Sequence, residues 1–115
     1  MIDIFHTWVD KIKSNDAHQV SELYHQDGIL LGTFSNIERV GRSLIFDYFE
    51  DLLKSPIDVQ IISEKAYKTK SMSTVAGLYN FIVSGEKIEA RFSFVFLKTN
   101  NKWEIISHHS SILPK

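Results

Sequence analysis

The stretch Ala90-Arg91-Phe92-Ser93-Phe94-Val95-Phe96-Leu97-Lys98-Thr99-Asn100-Asn101-Lys102-Trp103-Glu104-Ile105-Ile106-Ser107-His108-His109-Ser110-Ser111 decides the fold. Phe92, Phe94 and Phe96 fall on alternate positions, the period of a strand with one apolar face. Asn100-Asn101 interrupts the run with two residues that tolerate the positive φ of a two-residue hairpin loop. Ser84-Gly85 offers the same turn one strand earlier. Strands are therefore predicted near residues 58–66, 73–83, 87–98 and 102–111, joined as an antiparallel meander. If both loops hold two residues, Thr99 pairs with Lys102 and Val83 with Glu86. Counting outward sets Val95 opposite Ile106, Ser93 opposite His108 and Arg91 opposite Ser110, with Leu78 opposite Arg91. Residues directly opposite share a face. One face then carries Tyr79, Phe81, Phe92, Phe94, Phe96, Trp103 and Ile105. The other carries Leu78, Arg91, Ser93, Val95, Ile106, His108 and Ser110.

Upstream of Pro56 the period is helical. Ile2, Phe5, Trp8, Val9 and Ile12 line one helix face. Asp16 is a good N-cap for a second helix whose stripe is Ala17, Val20, Leu23 and Tyr24, ended by Asp27-Gly28. Residues 29–33 read as a short strand. Ser43 is read as the cap of a third helix bearing Leu44, Ile45, Tyr48, Phe49, Leu52 and Leu53. The order gives an α+β layer pattern, helices packed on one face of a curved sheet. Both sheet faces are too apolar to stand in water, so a second copy of the chain is predicted to cover the one the helices leave.

Composition bounds the rest. The 115 residues suit one domain, 1–115, and 43% apolar residues can fill its core. Thirteen basic against fourteen acidic residues give a net charge of -1, with no basic block for nucleic acid or an anionic membrane. No apolar run approaches the ~20 residues of a membrane span, and the N-terminus reads as a helix rather than a signal peptide, so a cytoplasmic location is expected. The absence of cysteine removes disulfides, thiol nucleophiles and thiolate metal sites. His18 and His25 have no carboxylate that completes an evident metal triad. No Gly-x-Ser-x-Gly elbow or phosphate-binding glycine loop is present.

Ser107-His108-His109-Ser110-Ser111 is the densest group of proton-transferring side chains. Alternation sends His108 and Ser110 to one side, and His109 and Ser111 to the other. His108 and Ser110 near Arg91 and Ser93 would make a small site for a polar or anionic ligand. An ordinary histidine, with a pKa of ~6.5, suits proton exchange there. Thr33 ends an apolar strand with its hydroxyl available to a cavity mouth. Tyr48 is a buried phenol in need of a partner. The plainer reading leaves all of these as hydrogen-bonded structural residues. A cyclase- or isomerase-like enzyme would instead need a buried acid, and only Glu104 is near.

The ending Trp103 to Pro114 resembles the association-domain family named after calcium/calmodulin-dependent protein kinase II, and the element order resembles the nuclear transport factor 2-like (NTF2-like) cone fold. Leu30-Leu31-Gly32-Thr33-Phe34-Ser35-Asn36, Asp47-Tyr48-Phe49-Glu50 and Ala90-Arg91-Phe92-Ser93-Phe94 are similar to the iota-class carbonic anhydrases within that family. The likeness spans about Leu23 to Pro114. Gly32 stands where proline is usual, and Ser107 where a His-His-His-Ser-Ser run would begin. The resemblance implies a cone of curved, mostly antiparallel sheet with three N-terminal helices packed on its concave face. It implies reversible hydration of carbon dioxide without a resident cofactor, a divalent metal being at most recruited. Carried over position by position, the site is Thr33, Tyr48, His108 and Ser110, with carbon dioxide, bicarbonate or another small anion as partner and a homodimer or larger homo-oligomer as the assembly. Under this expectation His108 acts as general base, while Arg91 and Ser93 hold the anion. The alternative is a non-catalytic association or small-ligand-binding module.

Overall fold

The computed structural model describes residues 3–114; Ile2, assigned to the first helix face, lies outside them. The elements are α1 (Ile4–Lys13), α2 (Ala17–Ser21), β1 (Tyr24–Leu31), β2 (Arg39–Val40), α3 (Arg42–Leu52), β3 (Ile57–Lys68), β4 (Met72–Val83), β5 (Glu86–Thr99) and β6 (Lys102–Ile112). One six-stranded sheet has the order β2-β1-β6-β5-β4-β3. Every neighbouring pair is antiparallel except β1 and β6, which run parallel. β1 thus lies between β2 and β6, and the last strand of the meander returns beside the first, parallel to it.

Both hairpin turns form as the sequence implies. Ser84 and Gly85 have φ of 50 and 82, and Asn100 and Asn101 of 53 and 61, the conformation of two-residue turns matched to strand twist. Val83 pairs with Glu86 and Thr99 with Lys102. The β4–β5 register continues unbroken, Leu78 opposite Arg91. The β5–β6 register does not. A bulge between Val95 and Phe96 leaves Ile106 without a partner, so that Val95 faces Ser107, Phe94 faces His108, Phe92 faces Ser110 and Arg91 faces Ser111. One extra residue in a strand sends every later side chain to the opposite face. His108 and Ser110 therefore join the aromatic face, while Arg91 and Ser93 stay on the other; the expected grouping of all four is corrected.

Helix α1 covers that aromatic face. Asp3 caps it by accepting from the Phe5 amide at 2.9 Å, and Phe5, Trp8, Val9 and Ile12 are buried. Phe5 stacks on Phe92 with ring centroids 5.1 Å apart, and Trp8 meets Phe94 edge-on at 5.1 Å. Asp16 caps α2 by accepting from the His18 and Gln19 amides. Helix α2 stops at Ser21, earlier than its apolar stripe suggests. The Leu23 carbonyl instead accepts from the Ile105 amide at 2.8 Å, and the Tyr24 carbonyl accepts from the Arg42 guanidinium at 2.8 and 3.0 Å. Pairing with β6 thus overrides local helix propensity. Ser43 does not cap α3. Gly41 holds that position with φ 95, donating its amide to the Gly28 carbonyl at 2.8 Å, a conformation natural to glycine. Leu44 is exposed, whereas Ile45, Tyr48, Phe49 and Leu53 are buried.

The second sheet face carries Leu78, which is exposed, together with Arg91, Ser93 and His109. Ile29 and Leu31, both exposed, pair with Ser107 and His109 on the same side. Among the described residues no helix is long and apolar enough to cross a membrane.

Candidate active site

The bulge in β6 creates the candidate site by turning His108 inward. Its ring is 2% exposed, stacked on Phe94 with centroids 3.8 Å apart and met edge-on by Trp8 at 5.2 Å. Each ring nitrogen faces a phenol: Nδ1 lies 2.8 Å from the Tyr24 hydroxyl and Nε2 3.3 Å from that of Tyr79. The Trp8 indole donates to the Tyr24 oxygen at 3.1 Å. Tyr79 donates to Ser110 Oγ at 2.5 Å, and Ser110 Oγ lies 2.5 Å from Thr33 Oγ1. Six side chains from α1, β1, β4, β6 and the loop after β1 thus form one line of hydrogen bonds from the core to the surface.

Burial sets the protonation of this line. Desolvation, with a lesser contribution from His109, lowers the His108 pKa to about 3, so the imidazole is neutral at physiological pH. Burial pushes both Tyr24 and Tyr79 well above the usual phenol range, so both keep their hydrogens. The expectation of His108 as a general base working near neutrality is corrected accordingly, because its sequence reading assumed a solvated imidazole.

Thr33 and Ser110 emerge at an open depression of about 420 Å³. Residues of the loop after β1, among them Gly32, Thr33 and Ser35, form one wall, and His109, Ser110, Ser111 and Ile112 the other. A smaller hollow of about 100 Å³ adjoins it through the shared residue Ser35 and is lined by Phe34, Arg39, Tyr48, Asp51 and Leu52. Tyr48 belongs to this hollow. Its hydroxyl accepts from the Phe34 amide at 3.3 Å, and burial pushes its pKa up to about 12. Gly32 allows that approach: a Cβ there would sit 2.5 Å from Tyr48 Cζ and 2.6 Å from its hydroxyl. The structure therefore brings Thr33, Ser110 and His108 into one hydrogen-bonded line and sets Tyr48 beside it.

Arg91 and Ser93 are excluded from this site. Both are exposed on the far face, where Arg91 Nε lies 3.4 Å from Ser111 Oγ and Ser93 pairs with His109. The cation of the smaller hollow, beside Tyr48, is Arg39. Its guanidinium carbon is 6.0 Å from the centre of the Tyr48 ring, Nη2 donates to Ser35 Oγ at 3.3 Å, and Nε is buried with no hydrogen-bond partner. A buried guanidinium N–H without an acceptor is costly. Glu104, the acid considered for isomerase chemistry, is tied to Arg42 at 3.0 Å and Lys102 at 3.7 Å. Among the described residues no group of three His, Asp or Glu side chains is placed to hold a metal ion.

Sequence reasoning missed Tyr24, Tyr79 and Arg39. The two tyrosines carried one usable signal, that a buried phenol needs a partner, but the expected register set Tyr79 and His108 on opposite faces and Tyr24 on a helix. Arg39 carried none, because only the folded loop brings it to Tyr48.

A six-stranded mixed sheet with N-terminal helices packed on one face is the cystatin-like, NTF2-like α+β fold, and a protein with a cystatin-like fold from Caulobacter vibrioides superposes with a TM-score of 0.84 at 12% identity, covering 96% of this chain and 85% of that one. The chain belongs to the SnoaL-like domain family, whose sequence profile matches residues 2–114. It is 36% identical to a Xanthomonas campestris protein described as a calcium/calmodulin dependent protein kinase II association domain, with a TM-score of 0.91 over 97% of this chain and 84% of that one. A Streptomyces avermitilis protein described as a dehydratase of the NTF2-like family shares the fold, with a TM-score of 0.87 at 14% identity, covering 97% of this chain and 92% of that one. No curated protein matches the chain in sequence.

Proposed function

We propose that the chain is a carbonic anhydrase-like enzyme that hydrates carbon dioxide reversibly at the Thr33–Ser110 mouth. The observation that carries this reading is the hydroxyl pair of Thr33 and Ser110 at the end of a buried hydrogen-bonded line, opening on a depression. Hydroxyl donors suit the oxygens of carbon dioxide and bicarbonate. The segments around Thr33, Tyr48 and Ser110 add the resemblance to iota-class carbonic anhydrases, and the association-domain likeness of the Xanthomonas campestris protein agrees with the wider family.

In the reaction a water oxygen adds to the carbon, one C=O π bond breaks, and a water proton is released to solvent as bicarbonate forms. His108 does not take that proton, because its buried nitrogens are bonded to Tyr24 and Tyr79 and its pKa lies near 3. Rate enhancement comes from holding carbon dioxide in place and from donors aimed at the developing negative oxygen. General-base assistance, which elsewhere contributes about 10²–10⁴-fold, is not supplied by this imidazole. The enzyme is therefore modest. Stopped-flow carbon dioxide hydration tests this, with chelator and separately with added zinc or manganese; the expected result is a rate above buffer that falls on Thr33→Val substitution. A rate equal to buffer under every condition overturns the reading.

A second reading is a non-catalytic association module, favoured by the exposed apolar side chains Ile62, Tyr67 and Leu78 on the outer strands of the sheet. Stable dimers without hydration activity would select it.

A further inference from the structure

The line from Trp8 to Thr33 has a direction, and the residues farthest from the surface set it. An indole N–H is a donor only. Trp8 Nε1 donates to the Tyr24 oxygen, so the Tyr24 hydrogen must find an acceptor elsewhere, and the remaining partner of this fully buried hydroxyl is His108 Nδ1 at 2.8 Å. If Nδ1 donated instead, the Tyr24 oxygen would receive two hydrogens and its own would be stranded in the core. Nδ1 therefore accepts. In a neutral imidazole the hydrogen is then on Nε2, which donates to the Tyr79 oxygen, leaving the Tyr79 hydrogen for Ser110.

Two hydroxyl hydrogens remain, those of Ser110 and Thr33, with one mutual bond between them. Whichever donates to the other, one hydrogen is left over at the open depression. Reversing the line would consume both: Thr33 would donate to Ser110, Ser110 to Tyr79, and Tyr79 to Nε2. The mouth would then present only lone pairs. The choice between a donor and an acceptor at the surface is made in the core.

We propose that Trp8 and Tyr24 are positioning residues that lock His108 as its Nε2–H tautomer and thereby fix the Thr33–Ser110 pair as a hydrogen donor, selecting ligands that present an acceptor oxygen, such as a carboxylate or bicarbonate. The ligand half of this inference rests on the site read under Proposed function; the tautomer half does not. Successive bonds in one direction also polarise one another, so the surface hydrogen is a better donor than an isolated hydroxyl.

The test uses the full chain labelled with ¹⁵N and long-range proton–nitrogen spectra of the His108 ring. The parent should show an unprotonated Nδ1 and a protonated Nε2. Tyr24→Phe removes the group that makes Nδ1 an acceptor, and the two resonances should move toward each other as both tautomers populate. With the two directions equally populated, the donor-competent fraction is about one half and the apparent affinity for acetate or bicarbonate falls about twofold. Trp8→Phe, which removes the one-way donor but keeps the phenol, should move the resonances in the same sense. A purely structural role would lower thermal stability without moving the tautomer. A parent protein with Nδ1–H, or a Tyr24→Phe ring unchanged from the parent, overturns the proposal. A parent with the expected tautomer that binds neither acetate nor bicarbonate overturns the donor role. Acetate binding without carbon dioxide hydration leaves the proposal standing and removes only the carbonic anhydrase reading.

Discussion

Acidification from pH 7 to pH 5 probes the buried histidine most revealingly. In the folded chain desolvation keeps the His108 pKa near 3, whereas in the unfolded chain it returns to the ordinary ~6.5. The unfolded state therefore takes up a proton in this window that the folded state refuses. A histidine with a depressed folded pKa loses stability as pH falls through its unfolded value, and the loss continues toward the folded one. One proton difference is worth about 1.4 kcal/mol per pH unit, and roughly a quarter of unfolded chains are already protonated at pH 7, so the loss by pH 5 is about 2 kcal/mol. His6 acts in the opposite sense. Burial lowers its pKa, but hydrogen bonds and charge from Glu64 and Asp3 more than offset that and raise it, so its contribution is present at low pH and fades as pH rises. Urea unfolding of the parent and of His108→Gln at both pH values cancels the His6 contribution. The parent should lose about 2 kcal/mol more than the variant on acidification. Equal losses would refute the reasoning, as would a His108 ring in the parent that titrates between pH 5 and pH 8 by NMR.

Gly32→Ala should force the Tyr48 ring out of its place, costing roughly 1–3 kcal/mol of stability and breaking the bond to the Phe34 amide; differential scanning calorimetry reads the first and a crystal structure the second. Ser110→Ala leaves the buried Tyr79 hydroxyl without its acceptor, so it should lower stability by roughly 1–3 kcal/mol as well as lowering hydration activity. Thr33→Val acts at the half-buried end of the line and should reduce hydration about tenfold or more with a much smaller change in melting temperature. Leu78→Glu on the open sheet face should convert a dimeric parent to a monomer in size-exclusion chromatography with light scattering; a parent already monomeric at micromolar concentration would show that no second copy covers that face.

Much of the fold was legible because strand period and turn chemistry are local properties. Asn100-Asn101 and Ser84-Gly85 fixed two hairpins, and the spacing of Phe5, Trp8 and Ile12 fixed the face of α1. What escaped depended on partners distant in sequence. Helix α2 ends early because the Leu23 carbonyl is claimed by Ile105, and β2 exists only as an edge pairing of Arg39 and Val40 with β1. The bulge in β6 is the costliest omission, since it alone turned His108 and Ser110 to the aromatic face and away from Arg91 and Ser93. Its trace in the sequence is the pair Ile105-Ile106, two apolar neighbours where strict alternation would place one. The candidate residues Thr33 and Ser110 were named from the chain and stand within hydrogen-bonding distance, but their link to the core runs through Tyr24 and Tyr79, whose roles only the packed structure makes visible.

A crystal of the parent soaked in bicarbonate tests the central claim most directly. The account predicts planar density in the depression beside the Thr33 and Ser110 hydroxyls, with an oxygen accepting from that pair. An empty depression at saturating bicarbonate, or density seated instead by Arg91 and Ser93 on the far face, would contradict it.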